Sequence, residues 1–171
     1  MTDLNIPEYD PSTLVRSIDV EIDAPARIVW HVLTDLDAYP EWNPFCISAR
    51  SSLELGAPVE MTLKDFTGGS GTFPNTEYVC AVVPERLLSW ELIATDDDPK
   101  AARRDQVIEA LSDDRCRYYS TDAFLGVEAR QIMEESGAWV KRAFDETALA
   151  LKQRSEALYA EESASEREVA L

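Results

Sequence analysis

Residues 24–45, APARIVWHVLTDLDAYPEWNPF, decide how the rest of the chain is interpreted. In the first half, four apolar residues recur at helical spacing and form one face: Ile28, Val29, Val32 and Leu33. Pro40 and Pro44 then prevent the following short segments from continuing as one long helix. Beside these prolines stand three aromatic residues: Tyr39, Trp42 and Phe45. A segment this short cannot bury three rings alone, so it predicts a plug seated in a larger concave surface.

The same stretch resembles polyketide cyclase/dehydrase-like proteins of the START/Bet v-type superfamily, the SRPBCC group. In that family an Ala-Pro step leads into a V-W-x-V-L-x-D helix and then a Y-P-x-W-N-P-F segment. Seven residues match this pattern: Trp30, Asp35, Tyr39, Pro40, Trp42, Asn43 and Pro44. The stretches VPERLLSWEL (83–92) and STDAFLG (120–126) also resemble strands of the family. Relatives often carry a histidine where this chain has Asp105 and Gln106, so no role of that histidine is carried over.

Composition narrows the function classes. The chain has 171 residues, enough for one domain with a core and a pocket. Its formal net charge of −17 repels phosphate backbones and anionic lipid headgroups, which argues against nucleic-acid partners and stable membrane association. This acidity reflects either solubility or adaptation to salt. The N-terminus lacks the basic and apolar regions of a signal peptide, so we expect a cytoplasmic protein. The cysteines, Cys46, Cys80 and Cys116, are expected as free thiols.

The pattern of elements predicts an α+β helix-grip fold. A half-buried strand at 14–22 is followed by the two short helices and by several strands separated by turn signals. The last element is a long helix from Val127 to about Glu162, which is the only element long enough to cover a sheet face. We therefore predict a curled antiparallel sheet of six or seven strands around this helix. Residues 1–13 are predicted as a mobile lead-in, 14–162 as a single domain and 163–171 as an acidic mobile tail.

Several kinds of site find no support in the sequence. One histidine and three scattered cysteines offer no set of soft metal ligands, so we expect neither a metal nor a cofactor. Ser70 lacks the G-x-S-x-G spacing of a hydrolase nucleophile, and the glycines around it lack the phosphate-binding pattern. The segment from Lys64 to Asn75 is interpreted as a long flexible loop, and a gate over a cavity mouth is its functional alternative.

The candidate site residues come from the aromatic residues and the late strands. As proton-transfer groups we consider Glu109, Tyr119 and Asp122. A Glu109 that faced inward would need a partner such as Arg117, but strand alternation alone does not say which face is inward. As ligand-binding residues we consider Trp42, Met61, Trp90, Arg117, Val140 and Phe144.

The resemblance implies an internal cavity for a small hydrophobic molecule, aromatic or polyketide-like, with cyclase, dehydratase or lyase chemistry as one possibility. Two other classes stay open. One is a non-catalytic carrier or sensor of a lipid-like ligand, and the other is a helper that binds partner proteins. The sequence does not choose between a monomer and a homodimer, nor does it decide whether a reaction is catalysed.

Overall fold

The computed structural model describes residues 4–170, which form an antiparallel sheet curled around one long helix. In chain order the elements are β1 (Leu14–Arg16), β2 (Val20–Ile22), α1 (Ala26–Thr34), α2 (Tyr39–Trp42), β3 (Cys46–Arg50), β4 (Pro58–Lys64), β5 (Thr72–Val83), β6 (Leu87–Leu92), β7 (Ala101–Ser112), β8 (Arg115–Leu125) and α3 (Ala129–Val169). Single 3-10 turns precede β1 (Pro11–Thr13) and α2 (Leu36–Ala38). The predicted α+β helix-grip fold is confirmed.

The sheet has eight strands instead of six or seven, because the predicted first strand is interrupted. The strand order is β1-β8-β7-β6-β5-β4-β3, and β2 also pairs with β8. Between β1 and β2, the side chain of Ser17 takes the place of a backbone acceptor. Its Oγ accepts a hydrogen bond from the backbone N–H of Ser120 at 2.9 Å. Arg16 pairs with Thr121 and Val20 pairs with Tyr118, so the chain advances four residues from β1 to β2 while β8 advances three. The first strand thus carries one extra residue, as at a β-bulge.

This interruption changes which residues of the first strand face the core. Val15 pairs opposite Asp122 and is buried, whereas Arg16 points to the outer face. After the extra residue, Val20 is again on the inner face, opposite Tyr118. Uninterrupted alternation along the predicted strand at 14–22 would put Arg16 and Val20 on one face, whereas the extra residue puts them on opposite faces.

The core fills the space between the concave face of the sheet and α3. The helix buries one stripe, which comprises Gly137, Val140, Ala143, Phe144, Thr147, Ala148, Leu151 and Ser155. One apolar cluster surrounds Trp90 and Phe144, and a second packs α1 against Leu151 and Tyr118. α3 continues to Val169, beyond the predicted end, so residues 163–169 of the expected tail are helical. Within residues 4–170, no helix combines the length and apolarity required to cross a membrane.

A buried polar cluster on the outer face holds the segment before β1 against the sheet. The carboxylate of Asp105 is fully buried and accepts hydrogen bonds from Tyr9 Oη (2.6 Å), Ser89 Oγ (2.5 Å) and Arg103 Nε (3.0 Å). Burial and the neighbouring Asp105 raise the pKa of the Tyr9 hydroxyl, so this hydroxyl remains a donor at neutral pH. The fully buried carboxylate therefore has three donors, which satisfies its need for hydrogen-bond partners.

Candidate functional site

A cavity of about 230 Å³ lies between the concave face of the sheet and the first half of α3. Aromatic and aliphatic side chains form most of its wall: Phe45, Met61, Leu63, Phe73, Trp90, Leu92, Phe124, Ile132, Trp139, Val140 and Phe144. The rings contact one another edge to face. Phe45 lies 6.0 Å from Trp139, and Phe73 lies 6.4 Å from the same indole, measured between ring centroids. Such a wall favours an apolar or aromatic occupant.

One loop, residues 65–71, borders this end of the molecule between β4 and β5. Phe66 packs on Phe45 with ring centroids 5.5 Å apart, and its carbonyl oxygen accepts a hydrogen bond from Arg142 Nη2 of α3 at 2.6 Å. The loop is shorter than predicted, because β5 already begins at Thr72. Its role as a gate stays a prediction.

Four charged residues line the apolar cavity: Lys100, just before β7, and three on strands, Glu77 on β5, Arg104 on β7 and Asp122 on β8. The positions of the strand residues follow from the register. Trp90 of β6 pairs with Arg104, and Arg104 pairs with Asp122, so these side chains project from the same face. The Arg104 guanidinium stacks 4.2 Å from the Phe144 ring centroid. Only 6% of Arg104 is exposed.

The two carboxyl groups of the cavity have pKa values near neutrality. Burial raises the pKa of Glu77 to about 7, with a further rise from Asp122, while Arg104 and a 2.8 Å hydrogen bond from Asn75 Nδ2 oppose the shift. Burial likewise raises the pKa of Asp122 to about 6, and Arg104 opposes this shift. A carboxyl whose pKa is close to the working pH can both accept and donate a proton.

The cavity brings together five of the predicted site residues: Met61, Trp90, Asp122, Val140 and Phe144. Trp42 lies elsewhere. It packs in the core between the two apolar clusters, with its ring edge to face against Tyr39 at 5.2 Å. The roles of the five cavity residues and of Trp42 in ligand binding or proton transfer remain predictions.

Glu109, Arg117 and Tyr119 lie on the outer face of the sheet, which corrects the hypothesis that they face the cavity. Glu109 accepts a 2.7 Å hydrogen bond from Arg117 Nε in a partly exposed ion pair. The Tyr119 ring lies under the guanidinium of Arg16, 3.5 Å from its centroid. Alternation is the physical reason. Arg104 and Ile108 of β7 face inward, so Glu109 must face outward, together with its cross-strand partner Arg117.

Sequence reasoning missed Glu77 and Arg104. Polar residues dominate 95–104, a pattern that predicts a connection between strands and not a strand, although β7 begins at Ala101. Glu77 shares its face with Val79, because both alternate along β5 before the irregularity at Cys80. The available signal for these cavity residues was a charged residue two positions from an apolar residue of the same strand, since such residues share a face. Without knowledge of the strand pairing, however, that signal does not distinguish a cavity wall from a solvated face.

Residues 14–156 match the family model described as polyketide cyclase / dehydrase and lipid transport. A search of the curated proteins finds no match. Among solved structures, a protein from Nitrosomonas europaea superposes with a TM-score of 0.62 at 21% identity, over 91% of this chain and 99% of that one. The Zhui aromatase/cyclase from Streptomyces sp. R1128 gives 0.62 at 22% identity, over 84% and 93%. A START superfamily protein from Mycobacterium smegmatis gives 0.53 at 18% identity, over 81% and 98%. At these identities the similarity concerns the fold.

Proposed function

The chain belongs to the polyketide cyclase / dehydrase and lipid transport family, and from this premise we propose that its cavity binds a small hydrophobic molecule, aromatic or polyketide-like. The observation that carries the proposal is the cavity itself. Aromatic walls surround a small set of converging polar groups, Glu77, Arg104 and Asp122. Small-molecule sites typically combine a mainly apolar lining with a few polar groups in this way.

We further propose acid-base chemistry of the cyclase or dehydratase type. Asp122 and Glu77 are the proton-transfer groups of this proposal. At neutral pH, with pKa values of about 6 and about 7, Asp122 is mostly ionised and can accept a proton, while Glu77 is partly protonated and can donate one. In a dehydration, the ionised carboxylate of Asp122 would remove a C–H proton, and the protonated carboxyl group of Glu77 would donate its proton to the leaving hydroxyl group, which departs as water. The Zhui protein is named an aromatase/cyclase, which supports this reaction class by analogy alone.

Filling the cavity should abolish binding. Ala102 lies on the cavity wall, and an Ala102→Phe variant would place a ring in the ligand's space. We expect the affinity of this variant for the neutral bicyclic probe 2-naphthol to fall at least about tenfold relative to the wild type. The introduced phenyl ring excludes the probe from the cavity, so the probe loses its apolar contacts. Isothermal titration calorimetry measures this change.

The matched control is Ala110→Phe, on the same strand but exposed and away from the cavity. It should bind the probe like the wild type. Equal affinity of Ala102→Phe and the wild type would contradict the proposed site. Native mass spectrometry of protein purified from its own host extends the test, since a retained molecule identifies the ligand. Conversion of the precursors of that molecule would indicate an enzyme, and binding without any product would indicate a carrier.

A further inference from the structure

Arg104 offers two unused hydrogen-bond donors inside the cavity wall. Among the described residues, its Nε and Nη2 atoms have no hydrogen-bond partner, although the residue is only 6% exposed. A buried cation without a bonded acceptor is costly, and buried guanidinium groups are normally paired. The two nitrogens lie on one edge of the guanidinium plane. This edge is the fork that binds a carboxylate through two parallel hydrogen bonds.

The same chain shows this fork in use on the other face of the sheet. There, Arg117 donates from both Nε and Nη2 to one carboxylate oxygen of Glu109, Oε2. Arg104 presents the equivalent edge, but neither Glu77 nor Asp122 bonds to it. The arrangement in the cavity therefore lacks the partner that the outer arrangement has.

Packing holds the Arg104 guanidinium in place. It stacks 4.2 Å from the centroid of Phe144 and 5.8 Å from that of Trp90, so two aromatic faces fix its position within the cavity. A guanidinium held in this way is preorganised, and little side-chain entropy is lost when a ligand binds to it.

One further donor on the cavity wall lacks an acceptor. The indole nitrogen of Trp90, which lines the cavity, has no hydrogen-bond partner among the described residues. This nitrogen can only donate. Trp90 pairs with Arg104 across β6 and β7, so the indole lies beside the guanidinium. An occupant with acceptor oxygens can supply partners for both side chains.

We propose that the ligand of this cavity is a carboxylic acid with an apolar or aromatic body, and that its carboxylate binds the Nε–Nη2 edge of Arg104. This inference rests on the proposed function, since it names the class of molecule that the same cavity binds. The apolar body lies against Phe45 and Trp139, which line the cavity together with Arg104. The carboxylate then replaces the partner that Arg104 lacks.

Binding of an anion depends on the other titratable groups around Arg104. From β5 and β8 these are Glu77, Asp122 and Tyr118; from α2 and β3 they are Tyr39 and Cys46; Lys100 lies before β7, and Asp105 lies on its outer face. The cavity residues of α3 are uncharged: Ile132, Ser136, Trp139, Val140 and Phe144. Glu77 and Asp122 become negative as pH rises through about 7 and about 6, so affinity for the acid should fall between pH 5.5 and pH 8.

The test compares 2-naphthoic acid with its neutral isostere 2-naphthamide by isothermal titration calorimetry at pH 6. We expect the wild type to bind the acid more tightly than the amide. In Arg104→Lys, which keeps the charge but loses the fork, affinity for the acid should fall about 10- to 100-fold, while affinity for the amide changes little. The control is Arg117→Lys, on the outer face, which should bind both probes like the wild type. Circular dichroism confirms that each variant is folded.

The outcomes separate the two proposals. Equal affinity of the wild type for acid and amide, or undiminished acid binding by Arg104→Lys, would overturn the carboxylate assignment and leave the hydrophobic cavity intact. If neither naphthalene probe nor 2-naphthol bound the wild type, the proposed function would itself be rejected, and this inference with it. Arg104→Met, whose unbranched side chain has no donor, is a second variant in which the affinity for the acid should fall.

Discussion

An Asp105→Ala variant should lose about 3 to 5 kcal/mol of unfolding free energy, the largest effect that we expect from a single substitution in this protein. The carboxylate is fully buried and accepts hydrogen bonds from Tyr9, Ser89 and Arg103. Its removal leaves the Arg103 cation and two hydroxyl donors without their acceptor, and the Ser89 hydroxyl among them is fully buried. Urea unfolding followed by tryptophan fluorescence measures the loss.

Glu109→Ala is the matched control, because Glu109 lies on the same strand and the same face but in a partly exposed ion pair. We expect it to change stability by less than about 1 kcal/mol. Tyr9→Phe tests one arm of the cluster separately, with an expected loss of about 1.5 to 3 kcal/mol for one hydrogen bond to a charged acceptor. If Asp105→Ala were no more destabilising than Glu109→Ala, the buried cluster would not stabilise the fold as described here.

A Glu77→Gln variant should become increasingly more stable than the wild type as pH rises. The pKa of Glu77 is raised from 4.5 to about 7 in the folded protein, chiefly by burial. The folded state therefore holds its proton more tightly than the unfolded chain does, and the wild type loses stability as pH rises from about 4.5 through about 7. Glutamine carries no such proton. We expect its advantage in unfolding free energy to grow by about 2 kcal/mol between pH 5.5 and pH 8.

Chemical denaturation of both proteins across this pH range provides the measurement. Met61→Leu is the control, since Met61 also lines the cavity but does not titrate, so its stability difference from the wild type should be the same at every pH. A constant difference between Glu77→Gln and the wild type would show that the carboxyl group of Glu77 titrates alike in the folded and unfolded states. That result would remove the main support for Glu77 as a proton-transfer group.

These two carboxylates contribute to the molecule in different ways. Asp105 has its full set of donors and stabilises the sheet, whereas Glu77 occupies a cavity whose burial makes its ionised form costly. Protein sequences that retain such costly groups usually do so at functional sites. The contrast supports the assignment of the concave face to function and of the Asp105 cluster to stability.

Much of the fold was predictable because its signals are local. The helical spacing from Ile28 to Leu33 and the stops at Pro40 and Pro44 predicted two short helices, and α1 and α2 are found there. Alternation of apolar and polar residues along β4 puts Val59, Met61 and Leu63 on one face, and all three are buried. Helical spacing puts Val140, Phe144 and Leu151 roughly on one stripe of the last helix, and all three are buried. Each of these inferences uses only neighbours within a few residues along the chain.

The sequence by itself determined the order of elements, the family resemblance and an aromatic cavity wall that includes Trp90. Only the tertiary structure decided which polar side chains share that cavity. A strand has two faces, and a single extra residue reverses them, as happens between Arg16 and Val20. Glu109, which the hypothesis chose, and Arg104, which lies in the cavity wall, are an odd number of positions apart on β7. They therefore lie on opposite faces of the sheet. Pairing between strands that are distant in sequence decides which face of a strand points into the cavity. Periodicity along a single strand does not carry this information.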